Sequence, residues 1–290
     1  MISYNPKNWV KFIFSFSKSD TVRMLWRQII YIGLLSLVIT FVELHFFPKA
    51  DFLKHLIAVY SILGFVISLL LVFRTNTAYD RWWEGRKLWG AIVNDTRNLA
   101  LKINAIHTIK SEKDFFKNTI CNFCFSSKNH LRSQAIDQEL IFNDSGENQR
   151  YSNVDNKPLF FINLIQSKLY NLKNQGLVSD NEWLLMDKNV NALVDALGGC
   201  ERIKNTPIPY SYSLFIKKFI FIYVITLPLA FVNQFSYFSA LISTFVFYAL
   251  VSMEVLAEEI EDPFGEDDND LPTDQICERI QQNISEIFLN

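Results

Sequence analysis

The 290-residue chain has almost no net charge: 28 Lys and Arg against 30 Asp and Glu leave a formal −2. Binding to nucleic acid calls for a basic surplus, so that class falls away. Cysteine is scarce, at four residues including a single CxxC pair, Cys121 and Cys124. Zinc would require two further ligands at matching spacing, whereas His107 and His130 stand singly. The pair therefore reads as core packing beside Ile120, Phe123 and Phe125, with reduced thiols suited to a cytoplasmic domain. The chain also lacks a G-x-S-x-G elbow, a phosphate loop and a His and carboxylate pair at useful spacing, so nothing resembles an enzyme site. No basic amino terminus followed by a short apolar stretch and a small-residue cleavage site is present, so no removable signal peptide is expected.

Half of the residues are hydrophobic and 15% are aromatic, with 26 Phe. That apolar content is concentrated on either side of a middle region, 74–213, rich in Lys, Asn, Asp and Ser. The central stretch is Leu56 to Phe73, LIAVYSILGFVISLLLVF, followed by RTNTAYDRWWEGRKLWG. Its length of about 18 uncharged residues covers most of a ~30 Å hydrocarbon core. Arg74, Asp80, Arg81, Trp82 and Trp83 then mark the headgroup region, where cations and indoles sit favourably. Ser61, Phe65, Leu69 and Phe73 recur every fourth residue and share one slanted stripe. Large apolar residues on such a stripe face lipid or a neighbouring helix, or they line a pore that closes by dewetting; periodicity leaves both open.

Three further spans are expected. Residues 1–28 interleave Trp9, Phe12, Phe14 and Phe16 with basic residues, as a cytoplasmic membrane-surface segment does. The first span covers 29–47, with Glu43 near its far end and therefore expected to be solvated. From Phe219 to Met253 no charge occurs over about 35 residues, or ~52 Å of helix, too long for one crossing. A turn at Asn233 to Ser236 divides the region into spans over 214–232, containing Pro228, and 237–256. Four spans place both termini in the cytoplasm, in agreement with the cationic flanks of the first and third spans.

In the middle region, Leu88, Ile92, Leu99 and Ile103 fall at helical spacing, so the second span and this segment read as one long helix. Residues from Lys110 read as helix loosening into a polar loop around DSGENQRYSNVDNK, and Pro158 to Leu172 as an amphipathic helix. Ser179 and Glu182 form a capping box, opening a helix expected to stop at Gly198-Gly199. The tail, 257–290, is acidic. Its carboxylates read either as a solvated surface or as a calcium site, since Asp267, Asp268 and Asp270 follow a Pro-Phe-Gly turn without EF-hand spacing.

Three blocks, ILGFVISLLLVFRTNTAYDRWWEGRKLWG, MDKNVNALVDALGGCERIKNTPIPYSY and LAEEIEDPFGEDDNDLP, together resemble the bestrophin family, in its prokaryotic branch. The resemblance covers nearly the whole chain. It implies an all-α integral membrane protein with four transmembrane helices per subunit and a helical cytosolic domain, assembled as a homopentamer around a central pore in the cell's inner (plasma) membrane. It makes Phe65, Leu69 and Phe73 the apolar neck, and puts a second, cytosolic aperture near Asn181, where a polar side chain replaces an expected apolar one. It also implies a calcium clasp from the side chains of Asp267 and Asp270 with carbonyls of Glu259 and Asp262; calcium is the one candidate cofactor, and none is required. The permeant species would be monovalent ions, anions in the wider family and cations in some prokaryotic members. A secondary transporter would favour paired broken helices, and Pro228 is a single break; a non-conducting scaffold with a cytosolic partner is the remaining class.

Overall fold

A computed structural model describes residues 21–47, 56–134, 138–143 and 145–289. Among these the α-helices are α1 (Thr21–Phe46), α2 (Leu56–Ala105), α3 (Lys113–Leu131), α4 (Ser145–Ser152), α5 (Lys157–Asn174), α6 (Asp180–Asn205), α7 (Tyr210–Phe235), α8 (Phe238–Glu261) and α9 (Thr273–Leu289). Four of them, α1, α2, α7 and α8, are long and apolar enough to cross a membrane, and the protein is an all-α membrane protein with a further helical region. The surface segment expected over 1–28 lies outside the described residues up to position 20; from Thr21 onward the chain is already α1. The same holds for most of the outer loop, 48–55.

The chain divides into two compact units. One contains the residues through Trp82, Pro207–Pro263 and Asp267–Asp270, and thus α1, the first part of α2, α7 and α8. Its core joins Ile32 of α1, Ile67 and Leu71 of α2, Ile220 and Val224 of α7, and Phe247 of α8. A second cluster packs Tyr60 of α2 against Leu227 and Ala230 of α7. Close approach matters at Gly64: a Cβ there would lie 2.7 Å from the Tyr223 hydroxyl, which donates to the Tyr60 carbonyl. Hydroxyls inside the spans bond back to their own helices, Ser68 to the Gly64 carbonyl and Thr226 to that of Ile222, whereas the buried Ser36 and Ser252 hydroxyls take no partner. α7 runs through Pro228 without ending, and the reversal into α8 falls at Ser236 and Tyr237, with Ser236 at φ 47°.

The other unit contains Trp83–Thr206, Phe264–Glu266 and Leu271–Asn290. Here α3 packs against α5 and α9, and α5 against α6. Phe116 and Phe123 of α3, Phe161 and Ile165 of α5, and Cys277 and Ile280 of α9 are fully or almost fully buried. The first turn of α9 is fastened by charge: Asp274 accepts from Arg132 and from Lys128, and the buried Lys128 also donates to Glu139. α6 opens with the expected capping box, Ser179 N donating to Glu182 Oε2 at 2.8 Å and Glu182 N to Ser179 Oγ at 3.3 Å.

Two expectations change. α6 does not stop at Gly198-Gly199 but continues to Asn205. A Cβ on Gly199 would meet Leu88 at 2.9 Å, so this glycine permits a close approach to α2, and Pro207 and Pro209 supply the stop. The polar stretch after Asn143 is not all loop, because Ser145–Ser152 forms α4. The buried Glu147 accepts the Asn143 N–H at 2.8 Å, reaching back over the helix start.

Candidate pore-lining face and acidic turn

α2 buries Tyr60, Ile67, Leu71, Arg74 and Ala78, spaced seven, four, three and four residues apart. At 100° per residue they form one stripe about 60° wide. Phe65, Leu69 and Phe73 sit about 180° away from it on the helix wheel. They are 69%, 44% and 56% exposed in the protomer. The neighbouring helices therefore pack on one side of α2 and leave the neck candidates on the other. The same bare face continues to Asn76 and Asp80, both exposed, a polar extension that the four-residue stripe did not point to.

Where α2 leaves the apolar stretch, a buried ion cluster grips it. Arg74, 1% exposed, pairs with Glu261 at 2.5 Å and with Glu254 at 3.7 Å. Glu261 also accepts the Ile208 N–H on its side chain, while its carbonyl, at the end of α8, accepts Arg81 Nε at 3.1 Å. Breaking such a pair would strand a charge away from water. The sequence reading missed this cluster: Arg74 marks the headgroup region there, Glu254 falls inside the last span without a role, and Glu261 belongs to the tail whose carboxylates read either as a solvated surface or as a calcium site. The available signal was spacing, since Glu254, Glu258 and Glu261 recur at helical intervals in register with the apolar run before them.

Glu43 also differs from expectation. It is buried against the α1 and α8 seam, which includes the Thr40 and Ser239 hydroxyl pair at 3.0 Å, and neither of its carboxylate oxygens takes a hydrogen bond. The physical reason is rotational: Ser36, Thr40 and Glu43 share the face of α1 turned toward α8, so nearness to the helix end does not expose the carboxylate.

The four calcium candidates fall in the same unit. Asp267 N donates to Asp270 Oδ2 at 2.7 Å, closing a tight acidic turn, and Trp82 Nε1 donates to the Asn269 carbonyl at 3.0 Å. Asp270 is 2% exposed, and its Oδ1 has no hydrogen-bond partner. Burial pushes the Asp270 carboxyl up to about 6, against the lowering effect of the Asp267 N–H. The Glu259 side chain is taken by Asn269 Nδ2, at 2.6 Å, while its carbonyl belongs to the last turn of α8. No cluster of three or more acidic, His or Cys ligands occurs among the described residues. Asn181 is an exposed residue in the first turn of α6, between the Ser179 and Glu182 of the capping box.

The model of the family described as "Bacterial/Fungal Bestrophin protein" matches residues 1–286. A voltage-dependent anion channel-forming protein of Synechocystis is 37% identical over 230 residues, 77% of this chain and 75% of that protein. One from Nostoc is 35% identical over 297 residues, with 97% and 92% covered. The crystal structure of a bacterial bestrophin homolog from Klebsiella pneumoniae superposes with a TM-score of 0.79 at 28% identity, covering 90% of this chain and 99% of that one. A variant of that homolog gives 0.84 at 27%, covering 92% and 99%. The chain belongs to the bestrophin family. That family is not a class of enzymes, and the chain is not one.

Proposed function

We propose that the protein is an anion-conducting channel in which five copies place α2 around a central pore, with Phe65, Leu69 and Phe73 as its apolar neck. The observation that carries this reading is the position of the three side chains, exposed and opposite the stripe by which α2 joins its own protomer. An apolar ring of this kind holds no fixed charge and admits ions according to hydration and width. The similarity to voltage-dependent anion channel-forming proteins of Synechocystis and Nostoc favours anions. Both termini are read as cytoplasmic, and Asn181 as a second, polar constriction. In a planar bilayer under a potassium chloride gradient, the reversal potential is expected to move toward the chloride equilibrium value. Movement toward the potassium value would replace anion with cation conduction, and absence of current would remove the channel reading.

Calcium is read as a modulator held at the acidic turn. The fit rests on the buried Asp270, whose Oδ1 is unpartnered, and on hard oxygen donors: Asp267, Asp270 and the carbonyls of Glu259 and Asp262 at the end of α8. The bound ion would supply positive charge beside the turn that accepts the Trp82 indole N–H. Calcium is expected to raise the Tm of the wild type and not that of Asp267→Ala; equal shifts in both would rule out this clasp.

A further inference from the structure

Between α1, α7 and α8 lies a cavity of about 270 Å³ that the conduction reading does not use. Its lining changes character along α8, from Phe247 and Val251 to Glu254 and Glu258, about 16 Å of helical rise. Phe221 and Ile220 of α7 and Leu25 of α1 complete the apolar walls. At the polar end the charges do not balance. Lys217 is engaged by Glu258, leaving Glu254 as a second carboxylate on the wall. Glu254 is 2% exposed, neither of its oxygens accepts a hydrogen bond, and of the two cations near it, Arg74 stands 3.7 Å away and is held closer by Glu261, while Lys217 is held by Glu258. A buried carboxylate without hydrogen bonds is costly, and its environment is completed by a donor.

From this geometry we propose that the cavity binds a single-chain amphiphile with an ammonium head, the alkyl chain lying along Val251 and Phe247 and the ammonium donating to Glu254. Charge complementarity selects the head: an ammonium brings three donors and a positive charge to the carboxylate, whereas an anionic head would face Glu254 and Glu258. Volume selects one chain. The cavity lies just below the roughly 300 Å³ at which ordinary ligand pockets begin, too little for a two-chain phospholipid. Occupancy changes the charge seen by Arg74, the residue that follows Phe73 on α2.

The test is equilibrium dialysis of radiolabelled dodecylammonium against the full-length protein in phosphatidylcholine nanodiscs, with empty discs subtracted; it reads binding and does not depend on conduction. Saturable binding is expected, weakened about tenfold or more by Glu254→Gln and abolished by Val251→Trp, which fills the apolar end and leaves the Arg74 pair intact. Dodecanol is expected to bind at least about tenfold more weakly. Phosphatidylethanolamine in the disc should leave dodecylammonium binding unchanged, and its displacement of the probe would overturn the single-chain assignment. No saturable binding, equal affinity for dodecanol, or undiminished binding in either variant would overturn the site.

Discussion

Leu69 sits midway along the neck face, 44% exposed in the protomer, with the bulkier Phe65 and Phe73 one turn to either side. Truncating it to Ala removes apolar volume from every subunit at one level of the proposed pore, widening and wetting it. Single-channel current in planar bilayers is expected to rise about twofold or more; an unchanged current would mean that Leu69 does not line the constriction. Asp274 tests the helical region at the same scale. Hydrogen bonding from Arg132, aided by Lys128 and opposed by burial, holds its carboxyl at about 2, against about 3.9 in an unfolded chain. Over that window the native state binds fewer protons than the unfolded chain, so the stabilisation is complete above about pH 4 and lost as pH falls toward 2. Its side chain is half exposed, so solvent screening keeps the contribution below the full linkage value. Asp274→Asn should lower the Tm at neutral pH and flatten its decline between about pH 4 and 2. An identical acid profile in wild type and variant would assign that decline to other carboxylates.

At the scale of elements, α2 carries most of the argument. Its neck face continues to the exposed Asn76 and Asp80, so an anion leaving the neck would pass a carboxylate contributed by each copy. Asp80→Asn is expected to shift the reversal potential further toward the chloride value; no shift would place Asp80 out of reach of the permeating ion. The four spans were legible because a run of apolar side chains long enough to cross a bilayer has few other uses, as Leu56 to Phe73 illustrates. The neck stripe was legible as a stripe, but its direction was not: only the burial of Tyr60, Ile67 and Leu71 shows which side of α2 is free. Glu43 was misjudged, and Glu254 passed over, for a related reason. Distance from a helix end can be read along a sequence, whereas the side a carboxylate faces depends on helices far away in the chain. Gly198-Gly199 misled in the opposite sense, since glycine serves both helix ends and close packing, and Leu88 decides between them.

The whole molecule leaves a broad apolar face uncovered along α2, from Ile62 through Phe65 and Leu69 to Phe73. Closed rotational symmetry is the usual way in which copies of one chain satisfy such a face. Native mass spectrometry of the detergent-solubilised protein is expected to give a pentamer, and a stable monomer would remove the ring on which the neck depends. All four cysteines, Cys121, Cys124, Cys200 and Cys277, are buried free thiols. Burial raises each of their pKa values, to about 12 for Cys121 and Cys200, so almost no thiolate is present at neutral pH. The folded native chain is thus expected to take up little maleimide or methanethiosulfonate, as intact-mass measurement after labelling would show. A cysteine introduced at position 65, 69 or 73 would be the one responsive thiol in each copy, so the proposed pore could be mapped by covalent block without first stripping the protein of its own cysteines.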